Sequence, residues 1–187
     1  MSFTTAPRRT GKGRGLSFKR LRHDESGATA VEFGIVALPF FALMFAILET
    51  ALMFFADQAL ETAVANAARL IRTGQAQQQG FNANDFKDEI CEQVMSLFGC
   101  DADLVFDVRT YPTFEAIDLT KPVDDDGNLA PGDFIYEPGN GGDIVTVRAF
   151  YEWPSFTGVL GFSLANMPNG SHLLAAAAAF RNEPFPW

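Results

Sequence analysis

Histidine and cysteine are scarce, at two residues each in a chain of 187. Two cysteines and two distant histidines make no zinc pattern. His172, beside Ser171, lacks the spaced acid that marks a hydrolytic triad. TGKGRG, at 10–15, carries a Gly-Lys pair but neither the upstream glycine nor the following Ser/Thr of a phosphate-binding loop. DDDGN, at 124–128, hints at a calcium loop. Counted from Asp124, however, the positions that need glycine and glutamate hold Leu129 and Ile135. An acidic turn is expected there. With no catalytic constellation in view, the expectation is a protein that is no enzyme and takes neither metal nor cofactor.

Acidic charge is missing from the start of the chain. Residues 1–23 hold Arg8, Arg9, Lys12, Arg14, Lys19, Arg20 and Arg22 and no acid. Beyond Gly27 seven basic residues face twenty-one acidic ones, within a net charge of −9. Such a split suggests two compartments. A basic arm can bind nucleic acid. Placed directly before an apolar segment, it fits a cytoplasmic face and its anionic lipids better, so no nucleic-acid partner is expected.

Charge is also absent from Phe33 to Leu48, and after Glu49 and Thr50 the apolar run resumes to Ala56. Residues 33–56 meet the roughly 20 needed to cross a bilayer core. Apolar side chains fall on every face, which disfavours a half-buried core helix. Glu49 lies near enough to the far end to reach the interface. Pro39 removes one helix hydrogen bond and predicts a kink, which bilayer helices tolerate. A cleavable secretory signal would have a shorter apolar core and a small-residue cleavage site. The positive-inside rule places the N-terminus in the cytoplasm and residues 57–187 outside it.

Glu32 stands at the mouth of this segment, where an unpaired charge in hydrocarbon costs on the order of 2–3 kcal/mol. It can stay hydrated at the interface. Alternatively, cleavage after Gly27 would create an α-amine on Ala28, largely protonated at neutral pH. Ala28 and Glu32 are four residues apart and share a helical face. The new cation would therefore lie close to the carboxylate, in the same chain or a neighbouring subunit.

A basic leader, Gly27, Glu32 as fifth residue after the cut and an apolar helix together resemble a type IV prepilin-like signal. More narrowly, GATAVEFGIVALPFFALMFAILET resembles the TadE-like family of tight-adherence (Flp) pilus assembly proteins, matching at Gly27, Val31, Glu32, Phe33, Pro39 and Glu49. FYEWPSF (150–156) and FRNEPF (180–185) are similar to segments of some members, whereas 101–142 match only in character. The resemblance implies a minor pseudopilin in the inner membrane, cut between Gly27 and Ala28 by a prepilin peptidase. It would assist other pilus assembly proteins in building a thin adhesive fibre, either entering it or staying at its base. Many type IV pilins begin their mature chain with Phe; this one would begin with Ala28. The major pilin of such fibres is usually far shorter. A rival of another class is an uncleaved, single-span envelope protein whose periplasmic domain binds a partner or ligand.

The implied fold class is α+β: a membrane helix over 28–56, preceded by a basic leader over 1–27, continuing into a small pilin-like domain over 57–187 with an antiparallel sheet. Leu60, Val64, Ala67/Ala68 and Ile71 recur at helical spacing, and Gly74 suits a helix end, so a helix over 57–73 is expected. A helix from about 29 to 73 would be roughly 65 Å long. QAQQQGFNAN (75–84) reads as a polar loop, and Asn84 or Asp85 as the cap of a helix over 85–97. Cys91 and Cys100 can pair in an oxidising compartment if that helix ends near Leu97; otherwise they are buried thiols. Strands are expected over 103–111, 143–153 and 171–181. In the last, alanine prefers helix, and strand is read from the family resemblance. The intervening Gly-, Pro- and acid-rich stretch reads as a surface excursion.

Overall fold

A computed structural model of the chain describes residues 27–94, 99, 104–155, 158 and 164–185. Residues 1–26 of the expected basic leader lie outside them. The chain divides into two compact units, residues 1–41 and 42–187. The fold is α+β: one long N-terminal helix and a small domain built on a three-stranded antiparallel sheet.

Helix α1, Ala28–Arg72, passes unbroken through Pro39. Its first half carries apolar side chains that are exposed all round. In the second half the pattern becomes one-sided. Ala56, Leu60, Ala63, Val64, Ala67, Ala68 and Ile71 are buried, spaced by three and four residues. The alanines on this face let the helix approach the sheet closely. Arg69 and Arg72 occupy the last turn, where cations suit the helix dipole. Gly74 then takes a left-handed conformation at φ 76°, which glycine adopts without a Cβ clash.

The segment expected as a polar loop forms one short helix, α2, Gln75–Gln79. Two tertiary contacts make the difference. Ala76 is buried, and the Gln77 side-chain amide donates to the carbonyls of Pro138 and Gly139. Helix α3, Ala83–Gln93, starts from Asn82 rather than Asn84 or Asp85. Asn82 Oδ1 accepts from the Asn84 and Asp85 amides, and the Asn82 amide donates to the Asp85 carboxylate, closing a capping box. α3 ends at Gln93, with Val94 as its C-cap, and residues 95–97 of the expected helix lie outside the described residues. Phe86, Ile90 and Val94 enter the core, and Asn66 on α1 donates to Gln93.

The sheet comprises β1 (Leu104–Tyr111), β2 (Ile144–Pro154) and β3 (Ser171–Arg181), in that order. β1 pairs with β2 from Leu104↔Tyr151 to Tyr111↔Ile144, and β2 with β3 from Ile144↔Arg181 to Pro154↔Ser171. Pro154 stands at the end of β2, a position where a strand accommodates proline. One sheet face, through Val108, Val147, Ala149, Leu174 and Ala176, packs with α1 and α3. The alanine run of β3 is a strand despite its helix propensity. β2 offers a complete ladder, and Leu174 and Ala176 alternate into the core, so tertiary pairing outweighs a local preference of a few tenths of a kcal/mol per residue.

The excursion between β1 and β2 straps the opposite face. Its end, residues 135–137, lies parallel on the outer edge of β1. There the Val108 amide donates to Ile135 and Glu137 donates to Val108. Beneath it, Phe150, Met167 and Leu173 form a second apolar cluster with Val105, Leu129 and Phe134 packed against it. DDDGN closes a hairpin bridged at Val123↔Leu129. Asp124 accepts from the Asn128 amide, and Gly127 makes the reversal at φ 84°.

Candidate functional site

The N-terminal candidates lie in the first unit. Gly27 precedes α1 and Ala28 is its first residue, with Glu32 four residues further on the same helical face. All three are exposed. A Cβ built on Gly27 would meet nothing within 4 Å. The fold itself therefore places no steric demand for glycine there. Glu32 makes no hydrogen bond or ion pair among the described residues. Around it Val31, Phe33, Ile35 and Val36 are each more than 60% exposed. Such a concentration of bare apolar surface needs a partner other than water. α1 is the one described helix long and apolar enough to cross a membrane.

Glu49, in the second unit, is 8% exposed. Its carboxylate Oε1 accepts a 2.9 Å hydrogen bond from the Ser155 hydroxyl. An ion removed from water needs such partners. Glu49 occupies the same helical stripe as Met53, Ala56 and Leu60, and the chain just after β2 supplies its partner. Ser155 was not singled out from the sequence. Its signal is the FYEWPSF segment, in which Trp153 and Pro154 end the strand and turn Ser155 toward the helix.

The strap is held by a buried ionic cluster. Asp107, 1% exposed, accepts from Arg148 Nη2 at 2.7 Å, from Arg109 Nε at 2.9 Å and from the Ile135 amide at 3.0 Å. Arg148, 8% exposed, also donates to the carbonyls of Asp118 and Thr120. Arg109 donates to the Asp133 carbonyl. The hydrogen bond to Asp107 raises the Arg109 pKa above its ordinary value. Alternation in DLVFDVRTY marks Asp107 as a solvent-facing position. The structure buries it because the excursion covers that face.

FRNEPF fastens the sheet to α1. Asn182, 2% exposed, donates from Nδ2 to the carbonyls of Pro138 and Asn140, and its amide donates to Asp143. The next amide, of Glu183, donates to the Arg72 carbonyl at the end of α1. The exposed Arg72–Glu183 ion pair, at 3.9 Å, adds little.

Other features carry less chemistry. His172 Nδ1 lies 2.6 Å from the Leu164 carbonyl, bound to backbone. An open cleft of about 290 Å³ lies between α3, β1 and the strap, with Lys87 at its rim and Tyr136 in its wall. Burial pushes the Tyr136 phenol up to about 12, so it stays protonated. No group of three metal-ligating side chains occurs among the described residues. Cys91 is no free thiol. Its expected partner Cys100 lies outside the described residues.

Helix and sheet together define a class: a small α+β domain headed by a single apolar helix of membrane-spanning length. A family model described as TadE-like protein matches residues 27–69. That is the family the sequence resembles, and the match covers Gly27, Ala28, Glu32, Pro39 and Glu49. No curated protein and no solved structure matches the chain.

Proposed function

We infer that the chain is a minor pseudopilin or assembly factor of a tight-adherence pilus. α1 inserts it into the inner membrane with residues 1–27 in the cytoplasm and the sheet domain in the periplasm. A prepilin peptidase cuts after Gly27, and the protein then works with other pilus assembly proteins in a structural, non-enzymatic role. The observation that carries this reading is the exposed sequence Gly27–Ala28…Glu32 at the open start of an apolar helix, inside the segment the family model matches. Glycine at 27 answers no packing need, which supports a requirement set by another protein. The Glu49–Ser155 contact supports the sheet domain holding the outer part of the helix from Glu49 onward.

The test is the N-terminus of protein purified from native membranes, by intact mass and terminal sequencing, with and without the peptidase. An Ala28 terminus that vanishes in the peptidase mutant is expected. Full-length protein in both strains would leave an uncleaved single-span envelope protein instead.

In the same compartment Cys91 pairs with Cys100, closing the chain between α3 and β1. Such a loop contributes roughly 2.5–3 kcal/mol in the chain-entropy model. Unreduced protein should therefore take up no thiol reagent until reductant is added. Stoichiometric labelling of both cysteines without reductant would remove the bridge from this account.

A further inference from the structure

α1 and β2 run side by side over the same length. At one end the Glu183 amide, two residues past β3, donates to the Arg72 carbonyl, and Ile144 of β2 stands opposite Arg181 of β3. At the other end the Ser155 hydroxyl donates to Glu49. From Glu49 to Arg72 the helix covers about 35 Å at 1.5 Å per residue. From Ile144 to Ser155 the strand covers about the same at 3.3 Å per residue. The strands therefore stand along the helix axis, with the Ser155 end of the sheet toward the apolar half of α1.

At that end two surfaces overlap. On one face of α1, Glu49, Met53 and Ala56 meet the sheet domain. On its other faces Leu48, Leu52, Phe54 and Phe55 are each more than half exposed, and they continue the bare apolar surface of Leu43, Phe45 and Ile47. Asp57 is the first charge after Glu49. Ser155, level with Glu49, thus lies six residues or about 9 Å short of Phe55 along the helix. The headgroup layer is about 5–7 Å deep on each side of a bilayer. A bilayer that covers Phe54 and Phe55 with the rest of the run therefore reaches past the end of β2. The chemistry of that end agrees. The sequence from Trp153 to Phe180 holds no Asp, Glu, Lys or Arg, in a domain that is otherwise strongly acidic. The nearest charge, Glu152, already accepts from the Asn169 side chain and the Ser171 hydroxyl. Trp153 is half-buried on the α1 side of the sheet, beside Tyr151. Tryptophan favours the level where headgroups meet hydrocarbon.

We propose that the Trp153–Ser155 end of the sheet domain is seated in the lipid, at the boundary of headgroups and hydrocarbon in the outer leaflet of the bilayer that α1 crosses. The proposal rests on the reading of α1 as a membrane span and adds a second, lipid-facing surface to it. The seat is aromatic and uncharged, so it holds lipid by burial rather than by attraction to an anionic headgroup. It also fixes the sheet upright on the membrane, with Tyr111 and Ile144 at the end away from it.

The experiment is tryptophan fluorescence of the full chain in phosphatidylcholine vesicles. Trp187→Phe leaves Trp153 as the sole tryptophan. Lipids brominated high on the acyl chains should quench it more than lipids brominated near the chain ends, and aqueous iodide should quench it little. Pro154→Trp, with Trp153→Phe and Trp187→Phe, repeats the measurement from an exposed position. Tyr111→Trp in that same tryptophan-free background moves the probe to the opposite end of the sheet, where Tyr111 pairs with Ile144. There iodide should quench and brominated lipid should not. Probes at 153 and 154 that are open to iodide and untouched by bromine would overturn the seat and leave that end in water. Probes shielded from both quenchers would overturn it too, because protein rather than lipid then covers the surface. Phe45→Trp in the same background separates the span from the seat. Strong quenching by the deeper bromines is expected, and its absence would withdraw the membrane reading of α1 itself.

Discussion

Replacing Asp107 with alanine is expected to cost the sheet domain about 3–5 kcal/mol, the range for removing one partner of a buried ion pair. The size follows from what stays behind. Arg148, 8% exposed, keeps two carbonyls and the face of the Phe150 ring but no counter-charge, and the Ile135 amide loses its acceptor. The pair itself need not add net stability, because desolvating both charges offsets much of their attraction. Asp107→Leu with Arg148→Met should therefore recover most of the loss. For a chain of this size the single variant should lower the melting temperature by about 6–20 °C. It should also open the strap, held to the cluster through Asp118, Thr120, Asp133 and Ile135, to limited proteolysis. A cost below about 1 kcal/mol in detergent-solubilised full-length protein, with the strap still resistant, would show that the cluster does not hold it.

Glu32→Gln is expected to leave membrane insertion unchanged while sharply reducing pilus assembly. This result depends on the proposed cut after Gly27. After the cut, the Ala28 amine and the Glu32 carboxylate can neutralise each other within a packed helix assembly. Glutamine keeps the shape and removes the charge, so the amine is left unpaired. An uncompensated charge in the bilayer costs about 2.5–3.5 kcal/mol, roughly a hundredfold in the incorporation equilibrium. Carbonate-resistant membrane fractions and pilus counts on the same cells separate the two effects. Normal piliation with Gln at 32 would discard the charge-pair role, and loss of the protein from membranes would instead make Glu32 part of insertion.

The long helix was legible because its signal is compositional and local. An uncharged apolar run announces itself without knowledge of any neighbour, and the 3.6-residue stripe beyond Ala56 shows where one face becomes buried. The strands over DLVFDVRTY and DIVTVRAFYEW were legible through β-branched, alternating residues. What was missed depended on neighbours distant in sequence. QAQQQ looks polar until Ala76 and Gln77 find residues 138–139. Asp107 looks solvated until a strap from residues 117–135 covers it. Ser155 and Asn182 were visible only as members of family-like segments, because each acts on a partner 40 or more residues away.

By itself the sequence determined an apolar helix headed by Gly27 and Glu32, a split between basic leader and acidic domain, and an α+β order of elements. These follow from side-chain hydrophobicity and local spacing, which act residue by residue. Only the tertiary structure decided that five consecutive alanines form a strand, that Glu49 is buried against Ser155, and that the outer edge of β1 is covered by residues 135–137. Each of these rests on which backbone or side-chain partner the fold brings within hydrogen-bonding distance, a quantity set by long-range packing.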